Sequence, residues 1–281
     1  MAHLPPLFGA LVDDAGLFPP EQLRMAAALA RHRTDRAAGH PVLTHRFLCP
    51  ATAVDDLRAH LAADEDVRVG LIVDTGLAGV TDAVAAVGAD DRLRLETVEV
   101  ALPTADPAVA AERHVPGLAD IGASLFVEVP RTAGWRAALG ILAEHGVGAK
   151  IRCGGVHTDL FPTVDELAAF LSAAVASGIA FKATAGLHHA IRSRDPRTGF
   201  IHHGFVNLLV ATCRAVQGAP AGDVVAALTL DDADVLADVA RTMPDPVAIA
   251  ARRALVAYGS CSTSEPLADL RALDLIGDDD R

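Results

Sequence analysis

A chain of 281 residues, 51% of them hydrophobic and 21% charged, is long enough to bury one large α/β core or two smaller ones. Its formal charge of −12 provides no broad basic surface to neutralise phosphates, which argues against a nucleic-acid partner, and no run of about 18 uncharged apolar residues offers a membrane span. The opening MAHLPPLFGALVDDAG lacks the basic and apolar regions of a secretory signal, and Cys49, Cys153, Cys213 and Cys261 lie far apart with no CxxC pair. A cytoplasmic protein with reduced thiols is expected, with assembly into a homo-oligomer left open.

Taken in order, the chain repeats a strand-then-helix unit. The first strand is expected from Phe8 to Asp13, followed by the turn DDAGLFPP, with Pro19 and Pro20 opening a helix through Arg33. Strands follow at Leu43 to Leu48, Val67 to Val73, Leu93 to Leu102 and Ser124 to Val129. Helices lie between them, one capped by Thr52 and running to Ala63, another from Leu77 to Val87, and a third opening at Pro107. A helix from Trp135 to His145 leads to the sixth strand, Lys150 to Cys153, and Phe181 to Thr184 is the seventh. The helix between those two is capped by Thr163, with Glu166 as its box partner. A long polar loop, His188 to His203, then precedes helices at Phe205 to Val216, Ala233 to Arg241 and Pro246 to Arg253. Leu255 to Gly259 is the eighth strand, and a helix from Glu265 to Leu273 closes the unit.

Eight such units in one chain match a single (β/α)8 TIM barrel with extra helices between strands seven and eight. The domain spans residues 1–276, and 277–281 form an acidic tail. An open doubly wound sheet is the competitor, but its usual GxGxxG turn after the first strand is replaced here by DDAGLFPP.

Strand–helix–strand connections are right-handed and leave the strands parallel, so lysines at matching places on strands six and seven approach the same end of the sheet. Alternation then sorts the side chains. In GAKIRCGG, Lys150, Arg152 and Gly154 share one face; in IAFKATAG, Lys182, Thr184 and Gly186 do. Charge is costly against the surrounding helices, so these sets face the barrel interior and Cys153 faces outward. The same reasoning places Asp13, Arg46, Asp74, Glu99 and Glu128 inside, near the C-terminal strand ends where TIM-barrel sites lie. A ring of structural ion pairs is the alternative reading of this cluster. If the two lysines crowd each other, the neutral amine is favoured and can attack a carbonyl to give a Schiff base.

The Lys-x-x-x-Gly pattern on two successive strands resembles the paired-lysine signature of deoxyribose-phosphate aldolase and the wider class I aldolase group of TIM barrels. The resemblance implies that Lys150 forms the Schiff base and that Lys182 lowers its pKa. An acidic proton shuttle on an early strand would then fall to Asp13 or Glu128. Two departures stand out: Arg152 replaces a small polar residue, and His188 and His189 have no counterpart. Across nearly its whole length the chain is also similar to a bacterial TIM-barrel family marked by DDAGLFPP, GAKIRxGG, FKATAGLHH, HGFxN and GSCS, a kinship that carries no activity with it.

The histidines around the long loop supply further candidates. His188 or His203 is suited to general acid–base work, and His189 and Asn207 to substrate binding. With Glu99, Glu128 and Asp74 the loop histidines could ligate a divalent metal in an isomerase or hydrolase, but their spacing matches no known zinc motif, and neither metal nor cofactor is expected. Ser260 and Ser262, with Ser264, precede a helix start that could hold an anion. The expected activity is therefore an aldolase-like lyase acting on a small anionic carbonyl compound. Its nucleophile is Lys150, its anion is held by Arg152, and Arg46, Glu99 and Thr184 complete the mouth. The alternatives are the metal-dependent isomerase or hydrolase and a non-catalytic barrel that binds an anionic metabolite.

Overall fold

The computed structural model describes residues 4–277. Eight parallel strands close on themselves: β1 (Val12–Asp14), β2 (Leu43–Pro50), β3 (Val67–Val73), β4 (Leu93–Ala101), β5 (Ser124–Glu128), β6 (Gly148–Arg152), β7 (Phe181–Thr184) and, after an antiparallel pair β8 (Ser193–Arg194) and β9 (Ile201–His202), β10 (Leu255–Ser260). Each barrel strand pairs with its sequence neighbour, and β10 closes the ring between β7 and β1. The chain thus forms the expected (β/α)8 barrel. The acidic tail lies, apart from Gly277, outside the described residues. Among the described residues no helix is long and apolar enough to cross a membrane.

Helices α1 (Met25–Ala38), α2 (Val54–Ala59), α3 (Val80–Gly88), α4 (Pro107–Leu118), α5 (Trp135–Glu144) and α6 (Val164–Ala176) alternate with the first seven strands. Between β9 and β10 come α7 (Phe205–Val216), α8 (Ala221–Thr229), α9 (Ala233–Arg241) and α10 (Asp245–Ala254), and α11 (Ser264–Ala272) follows β10. The Thr163–Glu166 capping box opens α6 as expected. Several boundaries differ for physical reasons. Leu7, Phe8 and Leu11 are apolar because they are buried, but they precede the ladder, so β1 is only the VDD segment. Pro19 and Pro20 do not open α1; with Phe18 they form part of a cavity wall. Helix α8 escaped the strand–helix rhythm because only Val224, Ala227 and Leu228 mark its buried face.

Asp74 does not face the barrel interior. It lies just beyond β3 and accepts hydrogen bonds from the backbone N–H of Thr52 (3.2 Å) and the Thr52 hydroxyl (2.5 Å), which removes Thr52 from its expected capping role.

The glycines of the two Lys-x-x-x-Gly segments have a steric purpose. A Cβ on Gly154 would lie 2.6 Å from the Cα of Gly186, and one on Gly186, whose φ is +70°, would lie 2.5 Å from the carbonyl oxygen of Cys153. The chain just beyond β6 and β7 therefore touches backbone to backbone, with Lys150 and Lys182 opposite each other in register four residues earlier. Gly154→Ala is expected to destabilise the protein by roughly 1–3 kcal/mol through overpacking against main chain that cannot yield. Chemical denaturation measures this, and an unchanged midpoint would contradict the contact.

Candidate active site

The interior face of the barrel carries a chain of alternating charges. Arg152 Nε lies 2.8 Å from Glu128, Glu128 lies 3.2 Å from Lys150 Nζ, and Lys150 Nζ lies 2.8 Å from Glu99. The other oxygen of Glu99 bonds Lys182, whose Nζ is 2.5 Å from Asp13. Asp13 in turn receives Arg46 at 2.8 Å and the Thr44 hydroxyl at 2.6 Å, and Arg46 continues to Glu96 at 3.0 Å, which also pairs with Arg68. Within this chain five cations meet four carboxylates, leaving a local positive excess in an acidic protein. A bulge in β2 at His45, with φ at 54°, accompanies the shift of register against β1 beside Thr44 and Arg46. The neighbouring Asp14 turns away from this chain and binds Arg31 and His32 of α1.

Phe126 lies beneath these charges. Its ring lies against the space a Cβ on Gly148 would occupy, and Lys182 Nζ stands 5.7 Å above its centroid, within cation–π range. Lys182 is 1% exposed and Glu99 2%. Two ammonium groups hold Glu99 ionised despite burial, bringing its pKa down to about 2. Glu128 is also lowered, because Lys150 and Arg152 outweigh its desolvation. Burial alone would favour neutral Lys150, but Glu99 and Glu128 overcome it and raise its pKa above the ordinary lysine value. This corrects the expectation that the two lysines crowd each other into a neutral amine: Glu99 stands between them, its charge and that of Glu128 outweigh the repulsion of Lys182, and at rest Lys150 is an ammonium.

Above this network opens a cavity of about 1040 Å³. Lys150, Arg152, Thr184, His188 and His189 line it; Lys182, Asp13, Glu99, Glu128 and Arg46 lie outside its lining and reach it through their ion pairs. Four expected substrate-binding residues are placed otherwise. His203 is buried and bonds the carbonyl of Pro162 at 2.8 Å, while its neighbour His202 faces the cavity. Asn207 spends its amide on the backbone, accepting from Arg192 and donating to the carbonyls of Ala227 and Leu230, so it ties the loop to α8. Ser260 donates to the carbonyl of Ser262, and Ser262 accepts the N–H of Glu265 at the start of α11. The cavity wall there is acidic, with Glu265 and Asp269, which is unsuited to an anion. His189 stands half outside and bonds Asp269 at 3.3 Å.

Alternation places Cys153 in the hydrophobic core, where burial pushes its thiol up to about 12. Cys261 differs: it lines the cavity with its Sγ 3.7 Å from Nδ1 of His188, a pairing hidden in sequence because 73 residues separate them. Burial and the neighbouring histidines bring His188 down to about 4, so at neutral pH it stands uncharged beside the Cys261 thiol. Among the described residues no three His, Cys, Asp or Glu side chains form a metal-binding group, and the interior carboxylates are matched instead to lysines and arginines.

One decisive signal was countable in the sequence. Lys150 and Lys182 are the only lysines in the chain, whose other 22 basic residues are arginines. Comparison with protein-family models, with curated proteins and with solved structures finds no match.

Proposed function

We propose that the barrel is a carbon–carbon lyase of the class I aldolase type, holding a carbonyl substrate as a Schiff base on Lys150. The observation that carries this reading is the placement of the two lysines. Where the chain needs only positive charge it uses arginine, which cannot lose its proton; lysine occurs solely at the barrel mouth, where an amine has chemistry that a guanidinium lacks. Lys150 is the one of the two that lines the cavity.

Attack requires the ammonium to give up a proton. Glu128, whose carboxylate lies 3.2 Å from the Lys150 ammonium, is the suited acceptor. The neutral amine adds to the carbonyl carbon, the oxygen leaves as water, and an iminium forms. The electron pair of the bond between the α and β carbons then moves toward the iminium while the β-hydroxyl loses its proton to a carboxylate, releasing an aldehyde and leaving an enamine. Protonation at carbon and hydrolysis by water return Lys150.

Incubation with candidate aldehydes and ketones, reduction with borohydride and peptide mass mapping tests this directly, because only two side-chain amines exist. An adduct on Lys150, lost in Lys150→Arg while anion binding persists, is the expected result. An unmodified Lys150 across a broad panel overturns the proposal and favours the non-catalytic anion-binding barrel.

A further inference from the structure

The cavity is larger than a lysine and a small carbonyl compound require. At about 1040 Å³ it lies at the upper end of the roughly 300–1,000 Å³ expected of small-molecule sites. It begins at the barrel axis, where Leu48, Ile72 and Gly259 surround the Lys150 end, and continues outward along one face of α11. Glu265, Asp269 and Ala272 line it, at the second, sixth and ninth residues of that helix, and so does Leu273 just after it. At 1.5 Å per residue, that face extends the site by about 12 Å.

Another part of the lining is aromatic. Phe161, after β6, packs against Phe200 at 5.4 Å and His202 at 4.8 Å between ring centroids, so the loop after β6 and the β8–β9 pair form one surface. Phe18 and Ile191 extend the apolar lining. The cations in this outer part are committed elsewhere: Arg194 donates to the carbonyl of Gly199, and Arg197 lies 3.7 Å from Asp195. Helix α11 adds carboxylates rather than an anion cradle. A short phosphorylated sugar would fill only the end near Lys150 and Arg152 and leave most of this outer space wet.

We infer that the substrate carries an elongated apolar body, which lies against α11 and the Phe161–Phe200 wall while its carbonyl reaches Lys150. The inference rests on the Schiff-base reading for the reactive end alone. The occupant's class is thus an aldehyde or ketone with an alkyl or aryl tail.

A series of n-alkanals from four to ten carbons, with glyceraldehyde 3-phosphate as the short anionic probe, is trapped on Lys150 by borohydride at varied concentration. The half-saturating concentration is expected to fall up to about fourfold with each added methylene. Ala272→Trp, at an exposed position in the last turn of α11, is expected to weaken the ten-carbon aldehyde at least tenfold and leave the four-carbon one unchanged. Calorimetry with the matching n-alkanols reads the apolar site without any electrophile. Alkanal trapping with no dependence on chain length, or preference for the phosphorylated probe, overturns this inference and leaves the Schiff base standing. Length-dependent alkanol binding with no alkanal adduct does the reverse, retaining the apolar body and removing the Schiff base.

Discussion

Glu99→Gln is expected to lower the melting temperature by roughly 6–12 °C and to shift the pH dependence of borohydride trapping at Lys150 downward. Glu99 is buried between two ammonium groups, and its pKa falls from the ordinary 4.5 to about 2. A shift of that size corresponds to about 3 kcal/mol of stability, and for a chain of this length each kcal/mol moves the midpoint by roughly 2–4 °C. The effect has a defined pH window. A carboxylate with a depressed folded-state pKa stabilises fully above its unfolded value, so the contribution is complete above about 4.5 and is lost as the pH falls toward about 2. The stability gap between wild type and variant should therefore be widest at neutral pH and narrow in acid. Equal gaps at pH 7 and pH 3 in urea titrations would mean that Glu99 acts by shape rather than charge. The trapping shift follows from the same contact. Losing the anion 2.8 Å away leaves Lys150 with Glu128 alone and brings it under the repulsion of Lys182, which favours the neutral amine.

The barrel was legible because its signals are local. Each strand is a short apolar run bounded by turns, and the rule that charge avoids the helix-facing side sorts Lys150, Arg152, Lys182, Asp13, Arg46, Glu99 and Glu128 into one interior without coordinates. It fails where a strand ends early: Asp74 lies one residue beyond β3, so alternation no longer governs its direction. Pairing within the interior was not legible, since which carboxylate meets which lysine depends on stagger around the barrel, to which the sequence of a single strand is blind. That is why crowding of the lysines was expected where Glu99 in fact separates them. The loops were least legible. His202 and His203 are adjacent and chemically identical, yet one faces the cavity and the other bonds Pro162. Asn207 carries the donor and acceptor inventory of a ligand-binding amide, and the backbone takes both of its donors and bonds its oxygen.

Lys182→Met should move Lys150 the opposite way. Lys182 is 1% exposed and touches both Glu99 and Asp13; its removal leaves those carboxylates buried with one cation fewer. Breaking a buried pair from one side costs roughly 3–5 kcal/mol, more than the surface pairs of this chain contribute. Neither anion is stranded, because Asp13 keeps Arg46 and Thr44 and Glu99 keeps Lys150, so the variant folds with a lowered midpoint. Lys150 then feels Glu99 and Glu128 without the opposing field of the second lysine, and its pKa rises further. Trapping by an aldehyde should slow at neutral pH and recover at alkaline pH, with the final adduct still on Lys150. The reciprocal shifts in Glu99→Gln and Lys182→Met separate a lysine tuned by this charge chain from one that reacts independently of it. If both variants move the trapping profile in the same direction, the proton on Lys150 is governed by something other than Glu99 and Lys182.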